Sequence, residues 1–412
     1  MPELPHVAIY TGIDSRKESF FEQLLQGEPP IELKFLKGKR GALFSNARIA
    51  AFIEEEARHQ RSSLTGTGER GIRTYSSGER KKALLAHLMA QNPDFLILDD
   101  PFDNLDRQYQ QYLRSELEKR ASEVILVQLV SRPEDRLELI RRAACLEKDG
   151  LVGFPEYQPG PTPEKPGFKG RIPPPPHPPE DLPDPLIQMK AVNLHYEGRP
   201  VLNNIDLEVF QGDFWELRGP NGSGKSSLIT MIVGDNPKAY GQEITLFGQR
   251  KGSGESVWDI KSHLGYFTPG MADRFRGYHS VENMLISGLT DSIGLYIQPS
   301  ETQRLLAAAW LRVLDMEQWA NTPFRDLSEG QKRLIFCARA MVKHPALLIL
   351  DEPTAGLDGP SARKVVALIN KMAKESQVAV IFVSHRDEPG LKAYKTLELK
   401  PSETGSSGQV FV

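Results

Sequence analysis

Gly219-Pro220-Asn221-Gly222-Ser223-Gly224-Lys225-Ser226 decides the fold. It satisfies G-x-x-x-x-G-K-S in full, between a strand-like run (214–218) and a helix-like run (227–233). Gly219, Gly222 and Gly224 let backbone N–H groups curl round phosphate oxygens, with Asn221 and Ser223 in the same cradle. Ser226 and Ser227 then open a helix whose N-terminal dipole favours an anion. Lys225 would reach the β- and γ-phosphates, and the Ser226 hydroxyl would ligate Mg²⁺. An ordinary glycine-rich turn is the competing reading, and the acids further on weigh against it.

Those acids end the apolar run Leu347-Leu348-Ile349-Leu350-Asp351-Glu352. A carboxylate closing a buried strand has a defined position, so Asp351 is the expected metal ligand. Glu352 can accept a proton from an attacking water. His385 follows the next apolar run, in Val383-Ser384-His385, where it would hold the γ-phosphate and the water in line. A lone histidine is more often structural; its place one strand after the acids favours the catalytic reading.

The same signals occur twice, incompletely. Tyr75-Ser76-Ser77-Gly78-Glu79 matches Leu327-Ser328-Glu329-Gly330-Gln331. Phe95-Leu96-Ile97-Leu98-Asp99-Asp100 follows the first at the interval that separates Gly330 from Asp351. An ungapped self-comparison that sets Gly12 on Gly219 also sets Asp14 on Asn221, Ser19 on Ser226, Gly27 on Gly234 and Pro30 on Pro237. In that register Ser15, Arg16 and Lys17 replace the small residues of the cradle, and Glu18 falls on Lys225. A carboxylate there would repel the phosphate a lysine attracts. Asp100 replaces Glu352, Ser131 replaces His385, and the chain from loop to acids is shorter in the first copy. The expectation is a duplicated module whose first copy has decayed.

The two copies alternate strand-like and helix-like stretches, which predicts α/β folds with a largely parallel core sheet. Thirteen prolines in 155–185, including Pro173-Pro174-Pro175-Pro176, predict an extended spacer. A docking segment for a proline-binding module is the alternative. The expected domains are 1–154, linker 155–185 and 186–412. The 412 residues suffice for such domains, and apolar (39%) and charged (25%) fractions are those of a soluble globular chain. A net charge of −3 gives no general push toward nucleic acid or anionic membrane. No basic, aromatic-interleaved stripe marks a nucleic-acid site. Cys145 and Cys337 alone give no disulfide framework and fit a reducing compartment. No apolar run approaches the ~20 residues of a membrane span, and Met1–Pro5 does not read as a signal peptide. The expected location is intracellular, in the cytoplasm, with the mitochondrial matrix as alternative.

The phosphate loop, the 327–331 signature, Asp351-Glu352, the Gly356-Leu357-Asp358 loop and His385 together resemble the ATP-binding cassette (ABC) ATPases, over nearly all of 187–400. The resemblance implies two P-loop NTPase domains, each with a parallel core sheet and a helical subdomain, the first shortened. It implies ATP and Mg²⁺ as ligands and Tyr196 as the aromatic that stacks on adenine. In that family each ATP lies between the phosphate loop of one cassette and the signature of the other. It therefore implies that the two halves pair, with Ser76, Ser77 and Gly78 completing the second half's site. Residues 246–255, 258–261 and 291–296 look like the tandem-cassette proteins of the molybdenum-transport and photorepair type, which carry no membrane domain.

The family's glutamine after Gly-Tyr-x-Pro is missing from Gly265-Tyr266-Phe267-Thr268-Pro269-Gly270. This speaks against coupling to a permease. The expected activity is Mg²⁺-dependent ATP hydrolysis at one composite site, driving closure of the two halves. Two alternatives stay open: a peripheral ATP-binding subunit of a molybdate-type importer, and an ATP-binding regulatory switch with little turnover. The sequence does not identify the protein partner.

Overall fold

A computed structural model describes residues 4–11, 17–59, 71–147, 150–152, 167–178, 180–275 and 277–412. The chain divides into two compact units, 1–163 and 164–412.

The first unit contains β1 (Val7–Thr11), α1 (Lys17–Leu25), β2 (Gly41–Phe44), α2 (Asn46–His59), α3 (Ser77–Ala90), β3 (Phe95–Asp99), α4 (Arg107–Arg120), β4 (Ile125–Val130), β5 (Arg142–Glu147) and β6 (Gly150–Val152). Its sheet has the order β2-β3-β4-β1-β5-β6, parallel except for the last pair. The strands are apolar on both faces because both are covered. Leu96 and Leu98 join the core formed with α2, α3 and α4, while Phe95 and Ile97 join the core formed with α1.

The second unit opens with the antiparallel pair β7 (Ile187–Tyr196) and β8 (Arg199–Val209). Then come β9 (Phe214–Arg218), α5 (Lys225–Ile232), β10 (Glu243–Leu246), β11 (Gln249–Arg250), α6 (Val257–Ser262), β12 (Leu264–Phe267), α7 (Pro269–Arg274), α8 (Val281–Ile286) and α9 (Glu301–Leu314). It ends with α10 (Glu329–Met341), β13 (Leu347–Asp351), α11 (Gly359–Glu375), β14 (Ala379–Val383), β15 (Lys395–Lys400) and β16 (Ser407–Phe411). The core sheet runs β12-β13-β14-β9-β15-β16, again parallel but for its last pair. Strand for strand, this is the order of the first unit.

What differs is the covering. A second, antiparallel sheet, β11-β10-β7-β8, lies with α5 over one face of the second unit's core sheet. The other face carries α8 to α11 around the fully buried Trp310. Among the described residues the first unit has no counterpart of that antiparallel sheet, and only α2 stands between β2 and the segment before α3.

The proline-rich stretch is in part a strap rather than a free spacer. Described residues of 167–185 lie against the second unit: the Ile172 side chain is buried in its core, and the Ile172 N–H donates to Glu375 Oε2 at 2.9 Å. Lys371 Nζ donates to Gly170 O at 2.7 Å, and the Gln211 N–H to Asp184 Oδ1 at 3.0 Å. The carbonyls and apolar side chains of an irregular segment can be satisfied by a neighbouring surface even when the segment has no core of its own. Ile172→Ala is expected to cost about 2 kcal/mol of the second unit's stability, read as a lowered urea midpoint at unchanged slope.

Candidate active site

The glycine loop links the end of β9 to the head of α5. Gly219, Gly222 and Gly224 all have positive φ, at 153°, 80° and 93°. Gly224 is left-handed, and a Cβ there would meet the Leu202 side chain of β8 at 2.7 Å. Glycine is thus required both for the backbone turn and for the approach of the antiparallel sheet. Asn221 and Ser226 are exposed, Ser227 half-buried, and Lys225 buried with Nζ donating to Gly219 O at 2.6 Å and Pro220 O at 3.0 Å.

Asp351 ends β13, and Glu352 follows at φ 48° with its N–H on Val383 O. His385 Nδ1 lies 3.0 Å from Glu352 Oε1, and the His385 side chain is 5% exposed. Burial pushes the Asp351 carboxyl up to about 6, and Glu352 adds to the effect while Lys225 opposes it. Burial acts the same way on Glu352, but the His385 hydrogen bond and charge outweigh it and hold that carboxyl below its usual range. An ionised Glu352 suits a proton acceptor.

Two buried polar atoms here have no hydrogen-bond partner among the described residues: Ser223 Oγ and His385 Nε2. Orphans of this kind are costly, and functional sites are where they are kept. One lies in the phosphate loop and one beside the acid pair. Both fit a phosphate, and the Ser226 hydroxyl with Asp351 is a donor set suited to Mg²⁺. Tyr196 is 40% exposed at the end of β7, its hydroxyl accepting from Asn236 Nδ2 at 2.9 Å and Lys238 Nζ lying 5.4 Å from its ring centroid. After β12, Pro269 opens α7 where a glutamine was looked for.

The first unit keeps the frame with other chemistry. Its loop, 12–16, lies outside the described residues apart from its flanks, so Gly12, Asp14, Ser15 and Arg16 are not placed. The helix beyond it starts at Lys17, as α5 starts at Lys225, and Glu18 is exposed. The residue matching Lys225 is therefore Lys17, not Glu18: the strand registers set Ile9 on Leu217 and Thr11 on Gly219, one residue off the register that matches Gly12 to Gly219. Lys17 Nζ lies 2.6 Å from Asp100 Oδ2 and 3.2 Å from Asp99 Oδ1. Ser131 occupies the place of His385 and bonds Asp100 through its N–H (2.7 Å) and hydroxyl (2.6 Å).

Both signature serines cap their helices. Ser76 Oγ accepts from the Glu79 N–H and the Ser76 N–H donates to Glu79 Oε2; Ser328 and Gln331 repeat this capping box. Ser76, rather than Ser77, is thus the match of Ser328. The Ser77 hydroxyl donates to Asn104 O at 3.0 Å. Gly78 is buried, and a Cβ on it would meet the Tyr109 ring at 2.4 Å. Gly330 is as tight, against Ser361 Oγ at 2.3 Å.

Sequence reasoning missed a cation three residues after each signature glycine. Arg333 donates to Glu352 O and Ala355 O, both at 3.3 Å. Lys81 donates to Pro101 O at 2.9 Å and Asp103 O at 2.6 Å. Each fastens its signature helix to the loop after the acids. The repeated spacing from Gly78 and Gly330 was the available signal. Tyr266 was missed as well: burial, then the Asp351 and Asp235 carboxylates, push its phenol up.

Residues 202–355 match the sequence profile of the family described as "ABC transporter". The chain is 36% identical over 351 residues to the ABC transporter ATP-binding protein ModF of Escherichia coli (strain K12), covering 80% of this chain and 70% of that one. It is 30% identical over 365 residues to an ABC transporter ATP-binding protein of Schizosaccharomyces pombe (strain 972 / ATCC 24843), covering 84% and 72%. A Bacillus subtilis (strain 168) ABC transporter ATP-binding protein, YlmA, is 31% identical over 227 residues, covering 55% and 86%.

The raised Asp351 carboxyl makes a pH prediction. Its folded value, about 6, lies above the ordinary aspartate value of 3.8, so between these the folded state binds more protons than the unfolded chain. Stability of the ligand-free protein is then lost as pH rises through that window. Asp351→Asn has no such loss. Without metal or nucleotide it should melt higher than wild type at pH 7, with the gap closing at pH 4; an equal gap at both would contradict the assignment.

Proposed function

The chain belongs to the ABC ATPase family, and we propose that it is a tandem-cassette, Mg²⁺-dependent ATP hydrolase with one competent site, built on its second unit. The observation that carries this is the contrast between the two acid pairs. Asp351-Glu352 stands beside an intact glycine loop and two orphaned polar atoms, Ser223 Oγ and His385 Nε2. Asp99-Asp100 is already tied to Lys17 and Ser131.

In the competent site Tyr196 stacks on the adenine, and the backbone N–H groups of 219–227 cradle the phosphates. Lys225 leaves its loop carbonyls for the β- and γ-phosphates. Ser226 and Asp351 hold Mg²⁺, which supplies charge neutralisation at the transferring phosphoryl group. Glu352 orients the attacking water and accepts its proton. His385 holds Glu352 through Nδ1 and presents Nε2 to the γ-phosphate. Most of the rate enhancement comes from positioning and charge, not covalent chemistry.

The first unit contributes its signature. Ser76 and Gly78, at the head of α3, close the second unit's site when ATP is bound, and hydrolysis lets the halves part. Ser77 acts behind them by holding Asn104. The working location is the cytoplasm, and the client of the cycle is a protein partner outside this chain.

Serine replacements test this more cleanly than changes at Gly78 or Gly330, where any Cβ collides with Tyr109 or Ser361. Ser76→Ala and Ser328→Ala each lose the same capping box, at about 1 kcal/mol per helix. Steady-state ATPase should fall at least tenfold in Ser76→Ala and change little in Ser328→Ala; equal losses would overturn the one-site reading. Glu352→Gln should lower kcat by about 10²-fold or more while nucleotide binding persists, and turnover unaffected by that change would remove Glu352 as base.

A further inference from the structure

Lys17 is the least expected residue of the first unit. It stands where Lys225 stands, at the head of the helix after the loop, yet faces the other way chemically. Lys225 Nζ is taken up by carbonyls of its own loop. Lys17 Nζ reaches across to Asp100 Oδ2 (2.6 Å), Asp99 Oδ1 (3.2 Å) and Ser131 Oγ (3.4 Å). Ser131 Oγ is in turn 3.2 Å from Thr11 Oγ1 at the end of β1. The three charged side chains are only 23–28% exposed.

The acids in turn govern the signature. Asp100 has a left-handed φ of 41°, and its carboxylate takes both the N–H and the hydroxyl of Ser131. The next residues present the carbonyls of Pro101 and Asp103 to Lys81, and the carbonyl of Asn104 to Ser77, both on α3. One connected set of bonds therefore runs from the Lys17 ammonium through the acid pair and its loop to the signature helix.

We propose that Lys17 is a tethered counter-ion: its ammonium does for Asp99 and Asp100 what a divalent cation does for a working acid pair, and so holds the loop beneath the first signature in place without metal or nucleotide. Lys17 is a positioning residue, acting on α3 through Asp99, Asp100 and Lys81. Two half-buried carboxylates left without their cation are strongly unfavourable, and removing one partner of such a set leaves the other uncompensated. An ammonium bound to the chain supplies that charge at no cost in ligand concentration. The first unit is then always ready to serve as a signature donor. Burial lowers the Lys17 pKa, and the Asp100 and Asp99 carboxylates more than offset it, so the ammonium keeps its proton. The assignment concerns the first unit alone and stands whichever half turns over ATP.

The test is a Mn²⁺ titration of the full-length, nucleotide-free protein, counted by electron paramagnetic resonance, with melting curves alongside. Lys17→Met empties the ammonium's place beside two carboxylates and a serine. It should gain one Mn²⁺ per chain over wild type, at least tenfold tighter than in Lys17→Met/Asp100→Asn, and Mn²⁺ should raise its melting temperature towards that of wild type. Lys17→Arg keeps the charge and should show no gain. Should Lys17→Met not fold in metal-free buffer, recovery by Mn²⁺ but not by matched ionic strength supports the assignment, and recovery by neither overturns it. A Lys17→Met protein that binds Mn²⁺ as wild type does, or a Lys17→Arg protein that gains the same site, also overturns it.

Discussion

Each half of this chain ends its third core strand in two acids, at a place that water reaches poorly. Leu96, Ile97 and Leu98 before Asp99 are fully buried, as are Leu348, Ile349 and Leu350 before Asp351. Paired carboxylates in such surroundings repel each other and lose hydration, so a positive charge must come from somewhere. In the second unit burial and the Glu352 charge push the Asp351 carboxyl up to about 6 against the pull of Lys225, and in the first burial likewise raises Asp99 although Lys17 bonds it. The first unit supplies that positive charge from the chain.

The two units also differ in what covers the core sheet among the described residues. The antiparallel sheet β11-β10-β7-β8 carries Tyr196, and through Leu202 it backs the glycine loop at Gly224. On the matching face of the first unit's sheet, α1 and the 31–36 turn place Phe20, Phe21, Leu24, Leu33 and Leu36. What the first unit keeps is the six-strand order, the acids and the helix that bears the signature. Those are the parts needed to present Ser76 and Gly78 in a fixed place.

Most of this was legible before any coordinates. The glycine loop, the apolar strands ending in acids and the repeated signature are local patterns, and each lies on the element its residues predict. The strand after the acids was equally plain in Val380-Ile381-Phe382-Val383. The errors have physical sources. Glu18 was set on Lys225 because glycine was matched to glycine, Gly12 to Gly219, whereas the strand registers put Thr11 there and so Lys17 on Lys225. Of Ser76 and Ser77, the sequence shows two adjacent hydroxyls and not which one caps the helix; Ser76 does. The strap was invisible because proline content reports backbone stiffness and says nothing of a neighbouring surface; Ile172 alone hinted at one. Lys81 and Arg333 donate to loop carbonyls, a partner that no side-chain pattern encodes.

The two signatures themselves do not distinguish the halves. Each starts with the same capping box, and each carries one carboxylate within its first turn: Glu79 held by the Ser76 N–H, Glu329 paired with Lys332 Nζ at 2.8 Å. Each glycine is closed from behind by a side chain of the following helix, Tyr109 or Ser361, and each helix is fastened by a cation to the loop after its acids. Their electrostatic offer to a phosphate is therefore nearly equal, a helix N-terminus tempered by one engaged acid. An asymmetry of function cannot arise there. The halves differ at the acid pairs: Asp99 and Asp100 are tied to Lys17 and Ser131, while Ser223 Oγ and His385 Nε2, beside Asp351 and Glu352, have no partner among the described residues. The second signature's helix is held independently of any nucleotide, by the packing of α10 into the core through Ile335, Phe336 and Cys337.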